Sequence, residues 1–224
     1  MSDELKILVE NIVEAEMSIL NEPVIYFDMD GVLADFDQGV LDGNPRAGKA
    51  RDTYMALLKN FPDLMHITDD ELRKRLAGPQ ADPGLKALKK AWQHYREQKF
   101  ALTGREGFFA NLPEMPGAKE MLAQAAAMTG RKPSILTAPV DNNIERCMQE
   151  KRQWMDSHFP GMFDKFVCTQ DKDKYANPNS ILIDDRTKYT TKFESAGGIA
   201  ILHKNPQDSM QKLQAILRSK GLPV

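Results

Sequence analysis

The sequence predicts an α/β protein with a parallel sheet and helices on both faces of that sheet. After Pro113, short apolar segments of strand character alternate with amphipathic segments of helical spacing. A similar apolar segment, residues 24–28, precedes them, and a long stretch of purely helical pattern lies between. Strands that are joined through helices pair in parallel, so all of these strands are expected to share one sheet.

The length and composition fit one domain that carries a sizeable insertion. The 224 residues are 42% hydrophobic, which is enough for a core and excludes a wholly disordered chain. The formal net charge of −2 predicts no global attraction to nucleic acid. Cys147 and Cys168 have neither metal-ligand nor disulfide spacing. With no signal peptide and no apolar run near the ~18 residues of a membrane span, we expect a cytoplasmic protein without a membrane partner.

Three units are predicted along the chain. Residues 1–22 have the apolar spacing of an amphipathic helix that ends before Pro23, and form an N-terminal accessory helix. Residues 23–35 and 108–224 form the α/β core. Residues 36–107 form a helical cap that is inserted after the first strand.

The individual elements follow from their periodicity and from the residues that interrupt it. The cap is predicted to contain helices at 50–60, 69–77 and 84–100. The core strands after the first are predicted at 133–137, 165–169, 180–184 and 198–202. The core helices are predicted at 117–128, 142–158, 187–195 and 207–219. This order of elements predicts a Rossmann-like doubly wound parallel sheet.

Polar side chains follow four of the predicted strands, at the point where each strand ends. In open α/β sheets, ligands bind outside the carboxyl ends of the strands. Asp28 and Asp30 end the first strand on the same face, and Gly31 lets the chain turn after them. The ends of the later strands supply a hydroxyl, two lysines and an acidic pair with an arginine, namely Thr137, Lys172, Lys174, Asp184, Asp185 and Arg186.

These residue types together predict a site for phosphate chemistry. Two carboxylates at a buried strand end repel each other and need a cation, and Mg²⁺ prefers such hard oxygen ligands. A lysine and a threonine hydroxyl supply further positive charge and a hydrogen bond to a phosphate dianion. One aspartate can then act as a nucleophile and the other can carry the proton.

The same motifs carry a resemblance to a known family. Residues 28–36, 108–118, 136–139 and 181–186 resemble the haloacid dehalogenase-like phosphohydrolases and, among these, the 5′(3′)-deoxyribonucleotidases. The resemblance implies a magnesium-dependent phosphomonoesterase that hydrolyses deoxyribonucleoside monophosphates through an aspartyl-phosphate. Ala138 departs from the pattern, because these enzymes often have a second hydroxyl there. One phosphate contact would therefore be missing.

The resemblance also implies roles for the residues at the strand ends. Asp28 would be the nucleophile, and Asp30 would be the general acid and then the base. Mg²⁺ would be held by the Asp28 carboxylate, the backbone carbonyl of Asp30 and the acidic pair Asp184 and Asp185. Of this pair, Asp185 is expected to be the direct ligand.

The sequence does not decide which lysine of the implied site contacts the phosphate. Lys172 follows its strand more closely, Lys174 has the better spacing to the acidic pair, and Lys151 lies between the motifs in the middle of a helix. For the substrate, Phe36 and Phe108 are expected to stack on a base. Arg186 is the third residue expected to contact the substrate.

The sequence leaves other functions open. Residues 84–105 carry six basic residues and one acidic residue, so a polynucleotide end phosphatase could use them to bind a nucleic-acid backbone. A phosphatase for another small metabolite would use the same strand-end residues. An inactive binding protein on the same fold is the alternative outside enzymes. A homodimer is a further possibility.

Overall fold

The computed structural model describes residues 23–65, 69–78, 82–140 and 143–222. The predicted accessory helix, residues 1–22, lies outside the described residues. In the described part, five parallel strands form one sheet in the order β3-β2-β1-β4-β5. The strands are β1 (Val24–Phe27), β2 (Ser134–Thr137), β3 (Phe166–Cys168), β4 (Ser180–Asp184) and β5 (Ile199–Leu202). The predicted α/β class with a parallel sheet is confirmed.

The first strand of the chain lies at the centre of the sheet. Within β1, Phe27 pairs with Ile135 of β2 on one side and with Ile183 of β4 on the other. All three side chains are fully buried, as expected for parallel strands that are covered on both faces. Because the register is parallel, the residues that follow these three strands meet at one edge of the sheet.

Four α-helices lie in the described part of residues 36–107, which contains no strand. They are α1 (Phe36–Gly43), α2 (Pro45–Leu58), α3 (Asp69–Ala77) and α4 (Pro83–Thr103). Helix α1 was not predicted from the sequence. It begins after Asp35, whose carboxylate accepts a hydrogen bond from the backbone N–H of Gln38 at 2.9 Å.

The inserted helices form apolar clusters of their own. One cluster joins Leu58, Leu72, Leu88 and Trp92, and a second joins Val40, Ala47, Tyr95 and Leu102. The segments that enter and leave the insertion run side by side. The backbone N–H of Asp35 donates to Pro113 O, and that of Met115 donates to Leu33 O, each at 2.8 Å. The insertion is therefore packed internally and joined to the sheet through adjacent segments.

Helices cover both faces of the sheet. They are α5 (Ala118–Thr129), α6 (Ile144–His158), α7 (Thr187–Ser195) and α8 (Pro206–Ser219). Buried residues of α5, α6 and α8, including Leu122, Trp154 and Leu213, form the largest core cluster with β1. On the other face, Tyr189 and Phe193 of α7 pack against β2 and β4. None of the described helices has the length and apolar character that a membrane span requires.

Candidate active site

The turn after β1 brings two aspartates to the carboxyl edge of the sheet. The Asp28 backbone N–H donates to Ile183 O at 2.9 Å, which extends the pairing with β4 by one residue. The chain then turns tightly, and Met29 O accepts the backbone N–H groups of Leu33 and Ala34 at 2.8 Å each. Gly31 has a φ of 76°, which favours glycine, and so allows this turn. Asp28 is buried, whereas Asp30 is partly exposed.

A buried lysine joins the first aspartate to the acidic pair. Lys172 lies in a 3₁₀ turn after β3, and its side chain is 1% exposed. Its Nζ lies 2.8 Å from Asp28 Oδ1 and 2.5 Å from Asp184 Oδ2. The other Asp184 oxygen accepts the backbone N–H of Arg186 at 2.9 Å. A buried charge has to be paired, so each of these groups keeps the others in place.

A second buried lysine comes from the middle of α6. The Lys151 side chain is fully buried, and its Nζ lies 2.6 Å from Asp30 Oδ2. The same ammonium group donates to Thr137 Oγ1 at 3.1 Å and to Ala138 O at 2.7 Å. It therefore links the turn after β1 to the end of β2.

The surroundings shift the pKa values of the two aspartates in opposite directions. Burial by itself raises the pKa of Asp28, but the charges of Lys172 and Lys151 and the hydrogen bond from Lys172 bring it below its usual value. Burial raises the pKa of Asp30, and although Lys151 opposes this, the charge of Asp28 adds to it. The surroundings thus favour the ionised form of Asp28 more than that of Asp30.

Three carboxylates converge at this edge. One oxygen each of Asp28, Asp184 and Asp185 lies within 4.8 Å of the others. Burial and the charge of Asp28 raise the pKa of Asp184 to about 6. Asp185 is open to solvent, yet the surrounding protein atoms and the charges of Asp28 and Asp184 raise its pKa well above its usual value. Together these carboxylates carry more negative charge than the nearby lysines offset.

The donor set fits a magnesium ion. Magnesium prefers oxygen ligands and is commonly held by one or two carboxylates together with the phosphate of a substrate. Asp28 and Asp185 would hold it, while Asp184 already accepts two hydrogen bonds. The mutual repulsion of Asp28, Asp184 and Asp185 favours a bound cation.

Comparison with known proteins shows the family of this chain. Residues 81–219 match the model of the family described as 5′ nucleotidase, deoxy (pyrimidine), cytosolic type C protein. The chain belongs to this nucleotidase family. The matched residues include Lys151, Lys172 and the acidic pair, whereas Asp28 and Asp30 precede them.

Named relatives fall in the same family. The mouse mitochondrial 5′(3′)-deoxyribonucleotidase is 31% identical over 170 residues, covering 74% of this chain and 66% of that protein. The human cytosolic-type 5′(3′)-deoxyribonucleotidase is 28% identical, covering 72% of this chain and 70% of that protein. The match thus spans slightly less than two thirds of the mouse relative's length. A haloacid dehalogenase-like family hydrolase from Xanthomonas campestris superposes with a TM-score of 0.48 at 14% identity, covering 89% of this chain and 99% of that one.

The structure separates the lysines that the sequence left open. Lys172 lies in the cluster, but the Lys174 side chain is 72% exposed and pairs with Asp171 at 2.7 Å. The 3₁₀ turn directs these two side chains to different sides, so Lys174 does not reach the carboxylate cluster. Sequence reasoning did not select Lys151, although a signal existed. It lies one turn from Cys147 and Trp154 on the buried face of α6, where a lysine needs a partner.

The three residues predicted to contact a substrate pack against aromatic rings. The Phe36 ring packs edge-to-face on Phe108 at 5.5 Å, and both residues are half-buried between α1 and the core. Arg186 is exposed, with its guanidinium 5.7 Å from the Tyr189 ring. Their contacts with a nucleotide stay a prediction.

Gly31 lies close to the Asp185 carboxylate, and this leads to a testable prediction for magnesium binding. A Cβ on Gly31 would lie 2.5 Å from Asp185 Oδ2, so Gly31→Ala should displace this carboxylate. We expect the affinity for Mg²⁺ to fall at least about tenfold in calorimetric titration, because a metal ligand is moved.

Gly130→Ala is the matched control for this prediction. Gly130 also has a positive φ, of 70°, but a Cβ there would meet no described atom within 4 Å. Both variants should therefore lose about 1–2 kcal/mol of stability through backbone strain. Equal magnesium affinity in the two variants would contradict a direct role for Asp185.

Proposed function

We propose that the protein is a magnesium-dependent 5′(3′)-deoxyribonucleotidase that hydrolyses deoxyribonucleoside monophosphates through an aspartyl-phosphate. The convergence of Lys151, Lys172 and Thr137 on Asp28 and Asp30 carries the proposal. Cations and a hydroxyl surround a nucleophilic carboxylate at the point where a phosphate dianion would bind. Membership in the nucleotidase family supports a nucleotide as the substrate.

In the first step, an ionised Asp28 oxygen attacks the phosphorus atom of the substrate. The bond between phosphorus and the sugar oxygen breaks, and Asp30 gives its proton to the leaving oxygen, so the nucleoside is released. The lowered pKa of Asp28 and the raised pKa of Asp30 suit these two roles. Lys172 and Lys151 offset the charge that gathers on the phosphoryl oxygens.

In the second step, Asp30 accepts a proton from water as the water oxygen attacks the aspartyl-phosphate. The bond between phosphorus and the Asp28 oxygen breaks, which releases inorganic phosphate and restores both carboxyl groups. When bound, Mg²⁺ supplies positive charge that lets a carboxylate approach a phosphate dianion. Asp28, Asp185 and the backbone carbonyl of Asp30 would hold it, with Asp184 orienting Lys172 beside it.

The helical insertion would act as a cap that selects the nucleoside part of the substrate. Phe36 and Phe108 form an aromatic wall where α1 meets the core, and aromatic faces stack on bases. Arg186, at the solvent side of the carboxylates, would contact the substrate from the other side. In this division, residues at the sheet edge carry out the phosphate chemistry, and Phe36, Phe108 and Arg186 select the substrate.

The cytoplasmic location and the homodimer that the sequence suggests are part of this proposal. A cytosolic-type protein and a mitochondrial protein are both among the named relatives, and the former supports the cytoplasm. The partner is a small-molecule nucleotide. Nucleic acid is not the expected partner, because several basic residues of 84–105 contact other parts of the insertion.

A substrate panel tests the proposed function. We expect magnesium-dependent phosphate release from deoxyribonucleoside monophosphates, with much slower release from a 3′-phosphorylated oligonucleotide and from small-metabolite phosphates. Release from the oligonucleotide alone, with a steep salt dependence, would replace the nucleotidase by an end phosphatase. No release from any substrate would favour a binding protein on the same fold.

Replacement of the nucleophile tests the covalent mechanism. Asp28→Asn should lower turnover at least about a thousandfold, because a neutral amide cannot form the aspartyl-phosphate. The control is Asp171→Asn, since Asp171 is an exposed aspartate outside the cluster. Turnover by Asp28→Asn within tenfold of the unaltered protein would rule out this nucleophile.

A pair of lysine variants tests which ammonium group serves the phosphate. Lys172→Met should lower kcat/KM at least about a hundredfold, whereas Lys174→Met should stay within about twofold. Thermal unfolding of both variants checks that the fold persists, because Lys172→Met leaves Asp28 and Asp184 with less positive charge. The opposite ranking of the two variants would overturn the assignment.

A further inference from the structure

A buried glutamate of α6 lies next to Lys151 in the sequence but serves a different part of the molecule. The Glu150 side chain is 9% exposed, and both of its carboxylate oxygens accept hydrogen bonds from the backbone of another segment. Its Oε1 accepts the backbone N–H of Gly107 at 2.7 Å, and its Oε2 accepts that of Phe109 at 3.0 Å. Both oxygens are therefore used to hold one short stretch of backbone.

That stretch is the segment through which the chain returns from the insertion to the core. Helix α4 ends at Thr103, and Gly104 caps it. The Arg146 guanidinium, one turn before Glu150 on α6, donates to Gly104 O. Its Nε also lies 3.7 Å from Glu150 Oε1, which offsets part of the buried charge. One face of α6 thus holds both the end of α4 and the loop that follows it.

The loop carries the aromatic side chains that lie beside the site. Phe108 packs edge-to-face on Phe109 with ring centroids 5.0 Å apart, and on Phe36 at 5.5 Å. The Phe109 ring lies 5.1 Å from Lys151 Nζ. The hydrogen bonds that Glu150 accepts therefore hold the backbone on both sides of Phe108.

We propose that Glu150 is a positioning residue that fixes Phe108 and Phe109 relative to Lys151, and so holds the aromatic wall, of which Phe108 is part, in place for the nucleoside part of the substrate. The proposal rests on the proposed nucleotidase function for its kinetic consequence. Its structural part, the clamping of the loop by a carboxylate, is independent of any activity.

The choice of substitution follows from the two accepted hydrogen bonds. Glu150→Gln keeps the shape of the side chain but leaves one oxygen and one NH₂ group. Two backbone N–H donors cannot both be satisfied by it, so one of them is left facing another donor. Glu145→Gln is the matched control, because Glu145 lies on the same helix and is exposed.

Kinetics on two substrates distinguish a loss of nucleoside positioning from a general loss of activity. For a deoxyribonucleoside monophosphate, Glu150→Gln should lower kcat/KM about tenfold, mainly through a higher KM. For p-nitrophenyl phosphate, which lacks a nucleoside, kcat/KM should stay within about twofold. Glu145→Gln should change neither value. An equal loss on both substrates, or no loss on the nucleotide, would overturn the proposal.

Amide hydrogen exchange tests the clamp even where no substrate is turned over. Exchange of the Gly107 and Phe109 amides should accelerate at least about tenfold in Glu150→Gln, while amides of β1 keep their protection. Unchanged exchange at both amides would overturn the proposal. A protein that hydrolyses nothing but shows the accelerated exchange would instead contradict the nucleotidase function and leave the clamp standing.

Discussion

The pairing of two buried lysines with the carboxylates at the sheet edge is the constraint on which the rest of the structure depends. Taking an ammonium or a carboxylate group out of water costs several kcal/mol unless it is paired and hydrogen-bonded. Lys172 and Lys151 meet this condition through Asp28, Asp184 and Asp30, and they come from different crossovers of the sheet. Only a sheet with β1 at its centre lets both lysines reach the same turn, because β2 and β4 flank β1 and deliver Thr137 and the acidic pair to the same edge. The strand order thus brings together the charged groups that pair with one another at the site.

Much of this arrangement could be predicted from the sequence, since strand ends fix positions along a parallel sheet. Asp28 and Asp184 each follow an apolar run, and their meeting required only that the runs lie side by side. The choice between Lys172 and Lys174 could not be predicted, because it depends on the rotation of a single 3₁₀ turn. Helix α1 was missed because its sequence, with two glycines and two aspartates, has weak helical propensity. The cap from Asp35 and packing against the core stabilise it, and neither contact is visible as periodicity.

Helix α6 connects the two halves of the proposed function. Consecutive residues on a helix point about 100° apart, so Glu150 and Lys151 reach different partners from one turn. One residue holds the returning loop of the insertion, and the other holds the turn after β1. A shift of α6 would therefore move the aromatic wall and the ammonium group together. In the proposed nucleotidase, this coupling would keep the distance between the phosphate and nucleoside subsites constant, as a reaction that depends on alignment requires.

The basic residues of α4 illustrate why a charge count in the sequence overstates what a surface offers to a ligand. Lys89 donates to the carbonyls of Ala77 and Gly78 at the end of α3, and the Lys99 ammonium lies 5.0 Å from the Phe36 ring. Arg96 lies over Trp92 at 4.7 Å. These cations stabilise the packing of the insertion, and a nucleic-acid backbone would have to compete for them. Binding of a polynucleotide gains its affinity from many such charges acting together on phosphates. In the proposed mechanism, the phosphate of a mononucleotide would be held by the two buried lysines at the sheet edge together with a bound magnesium ion. The distribution of positive charge therefore favours a small substrate whose phosphate is held inside the protein.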